Sequence, residues 1–303
     1  MKKNWSIKRV LQVLFFVVVC VLIHRFCHHQ TGGFSIAKIR SNHAIHPEWI
    51  TPPLSEQERQ ELDPLLNQPF KFFGYGGQAY VFLSEDGNVI LKLFKQHHMR
   101  APEWMKLIPL PKPLNKVRNK FITRKERNLT LFFNSCKIAY DRFKDRTGLI
   151  YLHLTPTTDL NQTITLIDKL GIAHQLDLDH TDFALQYKAT LTKKHFLRLK
   201  KNNDIEAAKN SIDSLLALMV ERSQQGIADR DPNLRRNCGF IGNKALEIDI
   251  GSYTPNEDLK ISFISKTDVY QKSFQLKRLI SKIYPELVPY LEENLQAILN
   301  VEI

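Results

Sequence analysis

"GIADRDPNLRRNCGFIGNKALEIDIGSY", Gly226–Tyr253, holds the densest potential chemistry in the chain. Two aspartates, Asp231 and Asp249, flank one asparagine, Asn237. The stretch "CGFIGNKALEID" reads as strand, Gly242-Asn243 turn and strand. The two ends of a tight hairpin are neighbours. Asn237, just before the hairpin, and Asp249, at its far end, are therefore expected together as oxygen donors of the kind Mg²⁺ takes. Gly251 permits a sharp turn after Asp249. Asp231 falls in a loop upstream, where its carboxylate can meet an acceptor hydroxyl. A solvated acidic loop is the plain alternative, and it sits poorly with Asp249 ending an apolar strand.

Upstream, "FKFFGYGGQAYVFLSEDGNVILKLFK" reads as two apolar, aromatic-rich strands joined through Asp86-Gly87. Gly74, Gly76 and Gly77, followed by Ala79 and Val81, form a glycine-rich turn whose backbone N–H groups can approach phosphate oxygens. The turn leads into a strand and not a helix, which argues against a dinucleotide fold or a P-loop. Lys92 lies inside the apolar run "VILKLF", so it either snorkels outward or is a buried cation that needs an anion. Past a Pro-rich extended piece, "KFITRKERNLTLFFNSCKIAYDRF" has helical spacing through Ile122, Leu129, Phe133, Cys136, Tyr140 and Phe143. Glu126 falls on that stripe and is a candidate partner for Lys92; a helix starting later would leave it exposed. Three more strand candidates follow ("GLIYLHL", "TITLIDKLGI", "DFALQYKA"), then helical segments. A strand-rich half preceding a helix-rich half suggests two lobes, an α+β arrangement.

The 303 residues carry 43 Lys+Arg against 31 Asp+Glu, a formal charge of +12, which favours anionic partners without choosing among them. No nucleic-acid motif appears, so no specific nucleic acid is expected. Cys20, Cys27, Cys136 and Cys238 show no metal or disulfide spacing, and the last two read as buried apolar side chains. Lys2, Lys3, Lys8 and Arg9 precede the apolar run Val10–Ile23, which Trp5, Ile7 and Phe26 can extend towards a membrane span. No A-x-A site follows, so an uncleaved anchor over residues 1–30 is preferred to a signal peptide or a buried helix. Residues 31–65 read as a linker with a short helix, for which Ser55 and Glu58 offer a capping box. Residues 66–303 read as the folded domain, divided near residue 188.

In this order the motifs resemble the protein-kinase-like fold. Gly74-x-Gly76-x-x-Ala79-x-Val81 is similar to the glycine-rich loop, Val89–Lys92 to the lysine strand, and Glu126 to that lysine's glutamate partner. Asp229-Arg230-Asp231 resembles H-R-D, Asn237 the catalytic-loop asparagine, and Asp249-Ile250-Gly251 the D-F-G motif. The resemblance spans about residues 69–303. It implies a strand-rich N-lobe (66–188), a helical C-lobe (189–303), a hinge at "FALQYKA", and ATP and Mg²⁺ as ligands. Lys92 and Glu126 would then serve catalysis with Asp231, the glycine turn and Lys92 would hold nucleotide, and Asn237 and Asp249 would hold metal.

The sequence departs from the pattern at Asp229, where the family has histidine, and in the six-residue step from Asp231 to Asn237, where five is usual. A one-residue bulge, or a role shared between Asp229 and Asp231, would accommodate this. No A-P-E motif follows Asp249, so the chain looks more like the compact members that phosphorylate sugars, lipids or small molecules, including membrane-associated lipopolysaccharide kinases. The acceptor implied is a sugar, a lipid (an anionic one included) or another alcohol. A catalytically silent pseudokinase acting as a membrane-tethered binding module is the alternative. A basic N-terminal flank predicts an external domain, whereas an ATP-using domain belongs on the cytoplasmic face, which is the preferred orientation.

Overall fold

A computed structural model describes residues 7–41, 43 and 45–300. Lys2, Lys3 and Trp5, and the side chains of Ile7 and Lys8, lie outside the described residues. The chain is α+β: an N-terminal apolar helix, a seven-stranded sheet and a helical part.

The first helix, α1, spans Ile7–Thr31. The apolar run in the sequence is short for a bilayer, but the helix continues through His24–Thr31. Its Arg9–Thr31 portion, 23 residues containing an 18-residue window of mean hydropathy 2.4, is long and apolar enough to cross a membrane. That portion is not buried against the rest of the protein. Gly32 and Gly33 end the helix at φ 64° and 75°. A Cβ on Gly32 would lie 2.6 Å from the Phe72 ring, so the chain turns hard against the sheet. The Tyr80 hydroxyl donates to the Gly33 carbonyl at 2.5 Å, and Lys169 Nζ to that of His29 at 2.6 Å.

The segment expected to be a linker is packed onto the sheet and its neighbours. Phe34, Ile39 and Trp49 are buried. His43 Nε2 lies 2.8 Å from the Asp182 carboxylate, and Trp49 Nε1 donates to Asn134 at 2.7 Å. The sparse apolar residues of this stretch lack periodicity because each fills a separate gap. Helix α2, Glu56–Leu66, begins with the expected capping box: the Glu58 amide donates to Ser55 Oγ, and the Ser55 amide donates back to Glu58. It buries Leu62 and Leu66.

Strands β1 (Phe70–Tyr75), β2 (Ala79–Ser84) and β3 (Val89–Phe94) form an antiparallel meander. Two single-turn helices follow, α3 (Gln96–Met99) and α4 (Trp104–Leu107), where the prolines suggested extended chain. Helix α5 runs Lys112–Arg142, starting earlier than its apolar stripe indicates, because Pro113 in the first turn needs no N–H partner. After α6 (Lys144–Thr147) come β4 (Leu149–His153), β5 (Thr163–Ile167), β6 (Ala173–Asp177) and β7 (Phe183–Tyr187). The sheet order is β4-β7-β3-β2-β1-β5-β6, and β5 joins β1 in parallel. The β5–β6 hairpin thus extends the sheet beyond β1.

Period-two alternation divides β3. Val89, Leu91 and Leu93 face one core, together with Phe70, Phe82, Leu185, α2 and Phe34. Ile90, Lys92 and Phe94 face the opposite side, beside Val81 and Ala184 in the cross-strand register. One face of the sheet is therefore sealed, and the other carries the lysine.

The chain then enters the helical part through β8 (Thr190–Leu191), α7 (Thr192–Lys201) and α8 (Ile205–Gln224). β9 (Ile227–Asp229) and the single turn α9 (Leu234–Asn237) precede the hairpin β10 (Cys238–Ile241) and β11 (Lys244–Glu247). β12 (Tyr253–Pro255) pairs back with β9. Helices α10 (Ser262–Ile283) and α11 (Val288–Asn300) close the fold. Leu215, Leu218, Val269, Leu276, Ile280 and Leu291 share a core that reaches Phe132 and Phe133 of α5.

Candidate functional site

A cleft of 840 Å³ lies between the open face of the sheet and the β9–β12 region. Its walls include the turn Gly74–Ala79, Val81, Lys92, the Tyr187–Leu191 crossover, Asp231 and Ile248–Ser252. The glycine turn, Lys92, Asp231 and Asp249 line it, whereas Asn237 and Glu126 do not.

The hairpin places its ends as expected. Ile241 pairs with Lys244 across the two-residue turn, with Gly242 at φ 57°, and Cys238 pairs with Glu247. The Asn237 carbonyl accepts the Ile248 and Asp249 amides at 2.7 and 3.4 Å. Asn237 itself is buried just behind the cleft wall. Its Nδ2 donates to the Asp231 carbonyl at 2.7 Å, which fixes the amide orientation. Asp249 lines the cleft, and its Oδ1 accepts the Gly251 amide at 3.1 Å. A carboxylate and an amide oxygen are the ligand types a hard cation takes. Among the described residues, no group of three or more His, Cys, Asp or Glu is placed to hold a metal.

Lys92 is enclosed. Its Nζ donates to the Ile248 carbonyl at 2.5 Å. Burial lowers its pKa, and the Asp249 charge opposes that shift. Asp249, not Glu126, is therefore the carboxylate whose charge acts on Lys92. Glu126 points away, 62% exposed, with Lys106 Nζ at 3.8 Å. The first buried residue of α5 is Leu129, so Glu126 has the right angular position on the helix but lies beyond the end of the core. Facing the lysine, α5 presents Phe132 in the cleft wall and Cys136. Burial and Asp249 both raise the Cys136 thiol pKa, so it stays protonated.

The six-residue step from Asp231 to Asn237 closes as the turn α9. Asn233 Oδ1 caps it by accepting the Arg236 amide at 3.3 Å, and the Asn237 amide bonds the Asn233 carbonyl at 2.7 Å. Asp231 remains exposed at the cleft. Asp229 does not share that position. Its side chain is buried, accepting the Asp231 amide at 2.9 Å and the Ser252 hydroxyl at 2.5 Å. Arg222 Nη1 lies 3.9 Å from it. Arg222 also pairs with Glu247, which accepts the Tyr253 hydroxyl. Burial pushes the Glu247 pKa up, against Arg222 and Tyr253. For Arg222 burial works the other way and is outweighed by Glu247, Tyr253, Asp229 and Asp268, so its pKa is raised. This buried network braces both chains that carry the cleft aspartates.

Gly74, Gly76 and Gly77 have open space where a Cβ would go, and none has positive φ. The free protein does not require glycine there, so what they leave clear is the approach of something else to the backbone. Lys95 Nζ holds the turn by donating to the Gly76 carbonyl at 2.7 Å, and it sits over the Tyr75 and Tyr80 rings. Gly251 is the opposite case: a Cβ there would lie 2.3 Å from Gln78 Oε1 and 2.6 Å from the Phe132 ring. Lys95, Phe132, Ser135 and Arg236 were not singled out from the sequence. Ser135 lies on the apolar stripe of α5, and its Oγ donates to the Ile250 carbonyl and accepts the Tyr253 amide, each at 2.6 Å. Lys194 and Arg236 add positive charge to the cleft wall near Asp231.

In comparisons with known proteins, no family model matches the chain and no curated protein matches it.

Proposed function

We propose that this chain is a protein-kinase-like, membrane-anchored phosphotransferase that uses ATP and Mg²⁺ and transfers the γ-phosphate to a hydroxyl of a sugar, a lipid or another acceptor. The observation that carries the reading is the convergence of Lys92, Asp249 and Asp231 on one cleft beneath an unobstructed glycine turn, with Asn237 bonded to the Asp231 carbonyl behind the wall. The sheet order β1-β2-β3-β7-β4 and the crossover at Tyr187–Leu191 support a two-lobed arrangement with residues 183–189 as its hinge.

On this reading Lys92 gives its remaining ammonium protons to phosphate oxygens and gains the anionic partners its burial calls for. The amides of the glycine turn cover the phosphates. Asp231 orients the acceptor hydroxyl and receives its proton, and Asn237 holds the Asp231 backbone in register. Asp249 Oδ2 and Asn237 Oδ1 would hold Mg²⁺, which neutralises phosphate charge when bound. Lys194 and Arg236 attract an anionic ligand to the mouth. The folded domain faces the cytoplasm, where ATP is abundant, and protease accessibility in intact cells tests that orientation.

The full chain in detergent is expected to melt at a higher temperature with ATP and Mg²⁺, and to transfer labelled phosphate into a cell extract. Lys92→Met and Asp249→Asn should remove both effects. No nucleotide-dependent stabilisation of the full chain would sink the proposal. A second reading, a silent pseudokinase, is favoured by one observation: α5 presents Phe132 and Cys136 to Lys92 instead of a carboxylate. It predicts nucleotide binding that Asp231→Ala leaves unchanged, with no transfer by either protein.

A further inference from the structure

We propose that the hairpin formed by α4 and the first turns of α5, residues 104–120, is a second membrane-contacting element that docks on an anionic bilayer surface beside the end of α1. The inference is independent of any nucleotide chemistry.

The hairpin exposes apolar side chains that its own fold does not use. Trp104, Leu107, Leu114 and Val117 are 59%, 81%, 55% and 67% exposed. Leu114 and Val117 are three residues apart, so they share one stripe of α5. Lys112, Lys116 and Lys120 repeat every four residues along a neighbouring strip, and among the described residues none of them forms an ion pair. The hairpin is nonetheless built and held. Arg118 donates to the carbonyls of Met105 at 3.3 Å and Ile108 at 2.5 Å, closing α4 onto α5. An exposed tryptophan and aliphatic residues bordered by unpaired lysines is the composition of a surface that lies in the headgroup layer.

Its position fits the same occupant. Lys38 Nζ donates to the carbonyl of Gly33, where α1 ends, at 2.5 Å. The Lys38 carbonyl meets His97 Nδ1 at 3.5 Å, the His97 and His98 rings are 4.1 Å apart, and Lys125 of α5 donates to the His98 carbonyl. A series of direct contacts thus connects the end of the apolar helix to Lys125 of α5, just past the hairpin. With α1 in a bilayer, the hairpin is held near the headgroups, and its lysines are complementary to anionic lipid.

The test uses the full chain carrying Trp5→Phe, which leaves buried Trp49 and exposed Trp104 as the tryptophans. It is reconstituted through α1 into phosphatidylcholine vesicles with or without phosphatidylglycerol, and with or without brominated acyl chains. Loss of Trp104 emission in brominated, phosphatidylglycerol-containing vesicles is expected. Little loss is expected in phosphatidylcholine alone or when Trp104→Phe is added. Lys112→Gln, Lys116→Gln and Lys120→Gln together should shift the docked-to-undocked ratio by roughly a hundredfold, about fivefold for each lysine near the surface. Equal emission in brominated and ordinary vesicles overturns the proposal. So does Trp104 shielding that follows protein density and ignores lipid charge, which would assign the face to a second copy of the chain.

Discussion

Replacing Arg222 by methionine tests whether the buried charge network supports the cleft. The guanidinium and the Glu247 carboxylate are 3% and 5% exposed, and Asp229 and Asp268 lie 3.9 and 3.8 Å from Arg222. Methionine fills much of the arginine stem but leaves Glu247 buried with only the Tyr253 hydroxyl as partner. Stranding one member of a buried pair costs about 3–5 kcal/mol. At roughly 2–4 °C per kcal/mol for a chain of this size, the full protein in detergent should melt roughly 10 °C lower. Adding Glu247→Leu should return part of the loss, because Arg222 Nε and Nη2 have no hydrogen-bond partner and the pair is imperfectly satisfied.

The pH dependence has a definite sign. Burial raises the Glu247 pKa above its ordinary value of 4.5. Below that value the carboxyl is protonated in both folded and unfolded states. Between it and the raised folded pKa, the folded state keeps a proton that the unfolded state releases, so stability falls as pH rises. Removing Arg222 pushes the folded pKa further up and widens the window. The deficit of Arg222→Met relative to the parent should therefore shrink as the pH is lowered from about 7.5 to about 5. Urea unfolding followed by circular dichroism at both pH values measures it. A variant within about 1 kcal/mol of the parent, or an equal deficit at both pH values, would refute the reasoning.

Ser135→Ala should cost about 1–3 kcal/mol in the same unfolding assay, since it strands the Tyr253 amide and the Ile250 carbonyl inside the core. Gly251→Ala, driven against Gln78 and Phe132, should lose about 1–3 kcal/mol. Gly76→Ala, which meets open space, should leave the melting temperature in place while weakening ATP-dependent stabilisation; a large melting shift would contradict that geometry. Glu126→Gln should change neither stability nor nucleotide binding measurably, because its partner is Lys106 on the surface. A tenfold loss of ATP affinity in that variant would mean that α5 moves to bring Glu126 to Lys92.

The sequence by itself determined the local geometry. The Gly242-Asn243 turn, with apolar strands on either side, requires Asn237 and Asp249 to be neighbours. Period-two alternation puts Lys92 opposite Leu91 and Leu93. Ser55 and Glu58 set the start of α2. Each is a short-range constraint of the backbone, legible from residue types a few positions apart. What only the tertiary structure decided is where those elements stand relative to one another. Helical periodicity gave Glu126 the right angle around α5 but not its height along it, and α5 overshoots the core by more than four turns before Leu129. Lys92 consequently bonds the Ile248 carbonyl and feels the charge of Asp249 from the other side of the cleft. The residues around Phe34, Ile39 and Trp49 looked like a linker because their burial depends on a sheet and on helix α5 formed far along the chain. Arg222, Asp229, Glu247 and Tyr253 come from separate elements, and no spacing in the sequence encodes a contact that exists only once β9 and β12 have paired.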